Sequence, residues 1–255
     1  MRSLLLALIV LTGCSSSRPA VAPVVLSPID SAAIVAAGDR LPADRALDGG
    51  RHPAALLDFV GVKQGMRVAD LMAGGGYTTE LLARAVGPSG KVYGVNPPFV
   101  LQKFGSQPWA DRLARPANAQ VLRLDRDLDA PLPGDVKALD AVVSNLIYHD
   151  TVSLGTDRKA MNAAIFRALK PGGVYVVIDS SARLGSGLED VKTLHRIEET
   201  VVRNEVEAAG FQLDSESPVW RNAEDARDWN ASPSAAGERR GTSDRFALRY
   251  VRPRS

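Results

Sequence analysis

The stretch VADLMAGGGYTTELL, residues 68–82, reads as a short apolar run, a three-glycine turn and the opening of a helix. Arg67 to Leu71 follows Gly65 with the apolar content of a buried strand. Thr78 to Val86 carries Leu81, Leu82, Ala85 and Val86 at helical spacing before Gly87-Pro88. Glycines 74, 75 and 76 let the backbone turn tightly and let a ligand approach without meeting a Cβ. The helix beyond them offers unpaired N–H groups and the positive end of its dipole. Strand, glycine turn and helix together point to a ligand at this turn, with a tight turn that holds none as the alternative.

The flanking segments alternate in the same way. Asp30 or Ser31 caps a short helix through Ala37, and Pro53 suits the first turn of a helix that runs to Val60 and ends at Gly61. Strands are expected at Lys91–Val95, Ala119–Leu124 and Leu139–Ile147. Met161–Leu169 is helical and stops at Lys170-Pro171-Gly172-Gly173, and VYVVI, Val174–Ile178, is the most β-branched run and reads as a buried fifth strand. A long helix over Leu188–Ala209, closed by Gly210, and strands at Phe211–Leu213 and Phe246–Val251 complete the pattern. Parallel strands need helical crossovers, so this order predicts an α/β, Rossmann-like, doubly wound and mostly parallel seven-stranded sheet. Ligands of such sheets bind outside the carboxyl ends of the strands, which directs attention to the residues just after each strand.

The chain has 255 residues, 45% apolar and 24% charged, which fits one large α/β domain. Lysine and arginine number 31 against 29 acids, and a net charge of +2 does not suggest a nucleic-acid partner. The N-terminus, MRSLLLALIVLTGC, has the single Arg2, an apolar run from Leu4 to Leu11 and then small residues, the layout of a secretory signal too short to span a bilayer. Leu11-Thr12-Gly13-Cys14 resembles the bacterial lipoprotein box, which implies cleavage before Cys14, acylation of that residue and membrane attachment through it. Each buried methylene of such an anchor contributes roughly 0.8 kcal/mol. Cys14 is the only cysteine, so the folded part forms no internal disulfide. By the same resemblance, Ser15 implies an exported protein at the outer membrane, facing the periplasm. The expected organisation is a signal peptide over 1–13, a lipidated cysteine and a flexible Ser/Pro/Ala-rich tether over 14–29, and one domain over 30–255.

Four segments carry a wider resemblance: VADLMAGGGYTTELLARAVGPSGKVYGVN (68–96), LDAVVSNLIYHD (139–150), MNAAIFRALKPGGVYVVID (161–179) and LHRIEETVVRNEVEAAGF (194–211). From Ala46 to Val251 the chain resembles the class I S-adenosylmethionine-dependent methyltransferases, and more narrowly a bacterial group with a GGGYT turn. The resemblance implies S-adenosyl-L-methionine as cofactor, held around Asp70, Ala73, Gly74, Gly75, Gly76, Tyr77, Asn96, Asp125 and Asn145. By match, Asp70 leads into the turn, Gly74 and Gly76 line the methionine end and Asp125 lies near the adenine. Met72 stands where the first glycine of the family usually is, and Asn96 where an acid usually grips both ribose hydroxyls. Asparagine can donate and accept, although a charged acceptor makes bonds roughly twice as strong. A dinucleotide fingerprint fits less well: Thr79 replaces its third glycine and Asn96 its distal acid.

Methyl transfer displaces a sulfonium in line, so the protein must position an acceptor and take its proton. After the fourth strand stand Asn145-Leu146-Ile147-Tyr148-His149-Asp150. His149 is the expected base, because imidazole titrates nearest neutral pH, with Tyr148 and Asp150 beside it. A histidine that closes the loop through a backbone hydrogen bond is the alternative. Asp179 and His195-Arg196 could face the same cleft, but no H-x-x-x-H spacing occurs and no metal site is expected. Arg45, Asp48, Arg51 and His52 form either a cap over the methionine end or a solvated loop. The polar stretch from Arg221 to Asp244 is a lid or a long connection, and six arginines between Arg239 and Arg254 lean on lipid head groups or are simply solvated. The expected function is methyl transfer to an oxygen or nitrogen of an unidentified small-molecule acceptor. A non-catalytic or differently liganded envelope lipoprotein that keeps the fold is the alternative.

Overall fold

The β-branched run Val174–Ile178 lies inside strand β5 (Leu169–Ser180), which pairs in parallel with β4 (Leu139–Asn145) on one side and antiparallel with β7 (Arg245–Val251) on the other. In the computed structural model, which describes residues 26–104 and 106–254, seven strands form one sheet. The others are β1 (Arg67–Leu71), β2 (Lys91–Asn96), β3 (Val121–Asp125) and β6 (Gln212–Glu216), and the order across the sheet is β3-β2-β1-β4-β5-β7-β6. The order reverses between β1 and β4, so the glycine turn after β1 sits at the switch point of a doubly wound sheet, as the sequence predicts. The expected signal peptide, Cys14 and the tether as far as residue 25 lie outside the described residues. Ser27, near the tether's end, already pairs with Gln64. Among the described residues no helix is long and apolar enough to cross a membrane.

Alternation along the strands divides the core. Val68, Val92, Ala141, Val143, Val174, Val176 and Ile178 face one side, covered by α4 (Pro53–Val60) and α5 (Tyr77–Val86). Ala69, Leu71, Val95, Val142, Tyr175 and Val177 face the other, covered by α8 (Tyr148–Ser153), α9 (Arg158–Ala168) and α11 (Glu199–Ala208). Short helices α1 (Ser31–Ala36), α2 (Pro42–Arg45) and α3 (Asp48–Arg51) precede α4. Asp30 caps α1 by accepting the Ala33 amide, and Gly61 closes α4 in the left-handed region.

Several stretches depart from the sequence reading: α2, α3 and α8 were not expected, and β5 begins at Leu169, so that Lys170-Pro171-Gly172-Gly173 lies inside the strand. Between β2 and β3 the chain forms α6 (Pro98–Phe104) and α7 (Ser106–Leu113), which hydrophobic spacing did not announce. The long helix expected over Leu188–Ala209 is two helices, α10 (Glu189–Leu194) and α11, interrupted where His195 turns left-handed at φ 57°. Tertiary contacts enforce the break. The Ile197 amide donates to the Ser180 carbonyl at 3.0 Å, and the fully buried Arg196 guanidinium reaches Asp225 at 2.8 Å and the Ser181 carbonyl at 3.1 Å.

Candidate functional site

The turn after β1 is built by backbone conformations that favour glycine. Gly74 and Gly76 have φ of 56° and 82°, and Met72, at φ 49°, holds the same left-handed geometry with a side chain. The Ala73 amide bonds the Val95 carbonyl at 2.9 Å, tying the turn to β2. Asn96, fully buried, completes the tie: its Oδ1 accepts the Gly74 amide at 2.8 Å and its Nδ2 donates to the Gly74 carbonyl at 3.2 Å. Asn96 therefore latches the turn with both ends of its amide, a role different from the ribose contact expected of it.

The three glycines differ in what they face. A Cβ on Gly76 would meet the Trp109 ring at 2.7 Å and Arg112 Cγ at 2.8 Å, so that glycine exists for the close approach of α7. A Cβ on Gly75 meets nothing within 4 Å, and one on Gly74 only the turn's own Met72 carbonyl at 4.0 Å. The open side of the turn is thus Gly74–Gly75, the side a ligand can approach. Trp109 and Arg112, which hydrophobic spacing did not mark, brace the back: Trp109 is fully buried, and Arg112 Nε donates to the Gly75 carbonyl at 2.9 Å while its guanidinium pairs with Asp44 and Glu80.

Asp70 ends β1 beneath the turn. Burial pushes its carboxyl up to about 7, against the Thr79 hydroxyl, which donates to Oδ2 at 2.5 Å, and the Arg51 charge, both of which lower it. Asn145 at the end of β4 donates to Thr78 Oγ1 at 3.2 Å. The Tyr77 hydroxyl turns away to Asp48 at 2.7 Å, and the Arg51 guanidinium lies 4.6 Å from the Tyr77 ring centre. Asp48 and Arg51 thus meet Tyr77, the first residue of α5, just after the turn. His52 instead packs edge-on against Trp220, and Arg45 bonds the Ala37 carbonyl.

Beyond the ends of β2, β3 and α8 lies a cavity of about 350 Å³ whose lining includes Pro97, Phe99, Asp127, Leu128, Asp129 and Leu154. Asp125 does not line it, because its exposed carboxylate is taken by Arg123 at 2.7 and 2.8 Å. The acids at this cavity are Asp127 and Asp129, two and four residues further along.

The segment after β4 corrects the expected catalytic group. Tyr148 is fully buried and points into the core: its hydroxyl donates to Glu205 at 2.9 Å and accepts from Asn162 at 2.8 Å. Its neighbour His149 turns the other way. His149 Nδ1 lies 2.6 Å from Asp179 Oδ1, and its backbone amide donates to Asp179 Oδ2 at 2.9 Å. Burial works to lower the His149 pKa, but the Asp179 charge and hydrogen bond outweigh it and raise it above the usual value. His149 Nε2 is buried with no hydrogen-bond partner; it faces Asp150 Oδ1 at 3.5 Å and the His195 ring, whose centre is 4.1 Å from its own. His195 Nε2 is 3.8 Å from the same Asp150 oxygen. Burial and the nearby His149 push His195 down to about 4. His149 is thus no loop-closing histidine, and the broken helix is what brings His195 to it.

Asp70 is level with Val143 of β4 and Val176 of β5, so Asp179 stands two strand spacings across and three residues along from it, roughly 14 Å away.

Comparison with known proteins agrees with this fold. A family model of protein-L-isoaspartate(D-aspartate) O-methyltransferases matches residues 37–106. The ubiquinone/menaquinone biosynthesis C-methyltransferase UbiE of Pseudomonas paraeruginosa is 30% identical over 137 residues, 49% of this chain and 46% of that protein. The chain spans about half the length of the curated relatives it matches. Among solved structures, a SAM-dependent methyltransferase from Aquifex aeolicus superposes with a TM-score of 0.58 at 18% identity, covering 88% of this chain and 99% of that one. Aeropyrum pernix fibrillarin with natively bound S-adenosyl-L-methionine does so at 0.51 and 17% identity, covering 80% and 76%.

Proposed function

We propose that this chain, which has the class I S-adenosylmethionine-dependent methyltransferase fold, is a methyltransferase that binds S-adenosyl-L-methionine at the Gly74–Gly75 face and methylates an oxygen or nitrogen of a small acceptor. The observation that carries the reading is the open side of the turn, where two glycines leave space in front of a buried carboxyl while every other side is braced. Gly74, Gly75 and Asp70 would hold the methionine end of the donor, and the cavity at Asp127 and Leu128 would take its adenosine. The donor would supply an electrophilic methyl group; Asp150 and His195 would hold the acceptor, and His149, fixed on its Nδ1 side by Asp179, would take the acceptor's proton.

One observation favours the competing reading of a fold kept for another ligand. Asn96 has both polar ends committed to Gly74, which leaves the end of β2 without the carboxylate that grips a ribose. Calorimetric titration of S-adenosylmethionine and S-adenosylhomocysteine into the full chain decides between them. Micromolar binding of both, lost in Gly75→Val, supports the methyltransferase; no binding at millimolar donor overturns it.

The localisation belongs to the same proposal. Leu11-Thr12-Gly13-Cys14 supports export, lipidation at Cys14 and attachment to the outer membrane, facing the periplasm. Metabolic labelling with a radiolabelled fatty acid is expected to mark the wild type and not Cys14→Ser; equal labelling of both refutes the anchor.

A further inference from the structure

We propose that His149, Asp150 and His195 form a binding site for one divalent first-row metal ion, with Asp179 orienting His149 from behind. One ligand atom from each of the three lies within 4.8 Å of the others. Donors at 2.0–2.2 Å around a tetrahedral ion stand about 3.4 Å apart. The 3.5 and 3.8 Å separations to Asp150 Oδ1 are near that spacing, and the separation between the two imidazole donors is no more than 4.8 Å.

Four independent features aim these atoms at one point. His149 Nε2 is buried, unpartnered and directed at the other two residues. A neutral imidazole with Nδ1–H given to Asp179 presents a lone pair at Nε2, the carboxylate–histidine arrangement that fixes the tautomer of metal ligands. His195 is held left-handed, at φ 57°, which a β-carbon disfavours, and the neighbouring Arg196 maintains it through Asp225 and the carbonyls of Ser181 and Trp229. Finally, two of the chain's three histidines lie in ring contact, their centres 4.1 Å apart.

Two imidazoles and one carboxylate suit zinc, iron, cobalt or nickel better than magnesium or calcium. Three protein ligands leave at least one position open, which is the pattern of catalytic and not of structural sites. Asp150 and His195 are on the solvent side, with side chains 29% and 32% exposed, so the open position faces the cleft. Ion binding stands on these residues alone. The role that follows rests on the methyltransferase reading: the ion holds an acceptor through a hydroxyl oxygen and makes that hydroxyl acidic. The proton leaves to solvent water, the oxygen lone pair forms the new O–CH₃ bond, and the S–CH₃ bond breaks with its electrons staying on sulfur. His149 is then a ligand, and activation passes from imidazole to ion. This narrows the acceptor to a hydroxyl-bearing small molecule.

The test is titration of the chelator-treated full chain with Co²⁺, followed by absorption in the visible, and competition by Zn²⁺. One equivalent bound at micromolar affinity, with the intense ligand-field bands of a four- or five-coordinate ion, is expected. His195→Asn, which tolerates the left-handed backbone, should weaken binding at least 100-fold, Asp179→Asn 10- to 100-fold, and His52→Ala not at all. Binding of less than one equivalent, six-coordinate weak bands, or an affinity unchanged in both His149→Ala and His195→Asn overturns the site. The wild-type spectrum decides even where a variant fails to fold. No methyl donor is present in this experiment, so a chain that binds Co²⁺ but not S-adenosylmethionine keeps the metal site and loses the methyltransferase.

Discussion

Replacing Asp70 by asparagine should make the protein more stable in mild alkali and flatten its pH dependence. The carboxyl is 2% exposed, and burial raises its pKa from 3.8 to about 7 in the fold. Below about pH 3 the group is protonated whether the chain is folded or not, and it contributes no pH dependence. Between about 4 and 7 the unfolded chain loses the proton while the folded chain keeps it, so stability falls as pH rises. At about 1.4 kcal/mol per unit, the full loss is about 4 kcal/mol, complete by pH 8. The amide of the Asp70→Asn variant keeps an oxygen for the Thr79 hydroxyl and removes the ionisation, so the variant should lack this slope. Urea denaturation of both proteins at pH 5, 6, 7 and 8.5 measures it: the two curves should draw together toward pH 5 and separate by several kcal/mol at pH 8.5. The same carboxyl couples to ligand. A cationic donor beside it favours the ionised form, so donor affinity should rise with pH through 7 in the wild type. Parallel stability curves at all four pH values would refute the assignment of a buried, protonated Asp70.

Three other substitutions probe the turn. Gly75→Val should leave the melting temperature within a few degrees, since its side chain enters open space, yet weaken S-adenosylmethionine binding at least 100-fold by calorimetry; a large loss of stability would show that the face is not open. Asn96→Asp turns a carboxylate oxygen toward the Gly74 carbonyl in place of the amide donor and should cost about 2 kcal/mol in urea denaturation. An unchanged midpoint would exclude the latch. Trp109→Ala empties the space behind Gly76 and Gly94 and should cost about 3–5 kcal/mol, again from urea curves; a loss under about 1 kcal/mol would mean that α7 is not a brace.

The sheet was legible because its signals are local. Runs such as VYVVI, and the glycine turn between a strand and a helix, carry their structure within about ten residues, and the observed strands and the helix Pro53–Val60 follow those signals closely. What escaped the sequence depends on distant partners. LHRIEETVV has helical spacing throughout, and only Asp225, about thirty residues on, and the Ser180 carbonyl make Arg196 and Ile197 leave the helix. Tyr148 and His149 were read together as one reactive pair, yet adjacent residues on a helix diverge by about 100° and one of them had to enter the core. Asn96 looks like a ligand contact at the end of β2. That its amide matches the two backbone groups of a residue 22 positions earlier is visible only in three dimensions. The histidine cluster was legible as a shared cleft of His149, Asp150, Asp179 and His195 but not as a ligand set, because its histidines lie 46 residues apart and metal motifs are recognised by short spacings.

The Asn96 latch has a consequence for timing. One side chain grips the amide and the carbonyl of the same glycine, so the shape of the turn is settled when β2 docks on β1 and not when a ligand arrives. The conformational search that a glycine-rich loop would otherwise make at each encounter is completed once per lifetime of the fold. Slow exchange of the Gly74 amide with deuterated water would follow, keeping pace with the core strands, together with an association rate for any ligand set by diffusion into the cleft and not by loop closure.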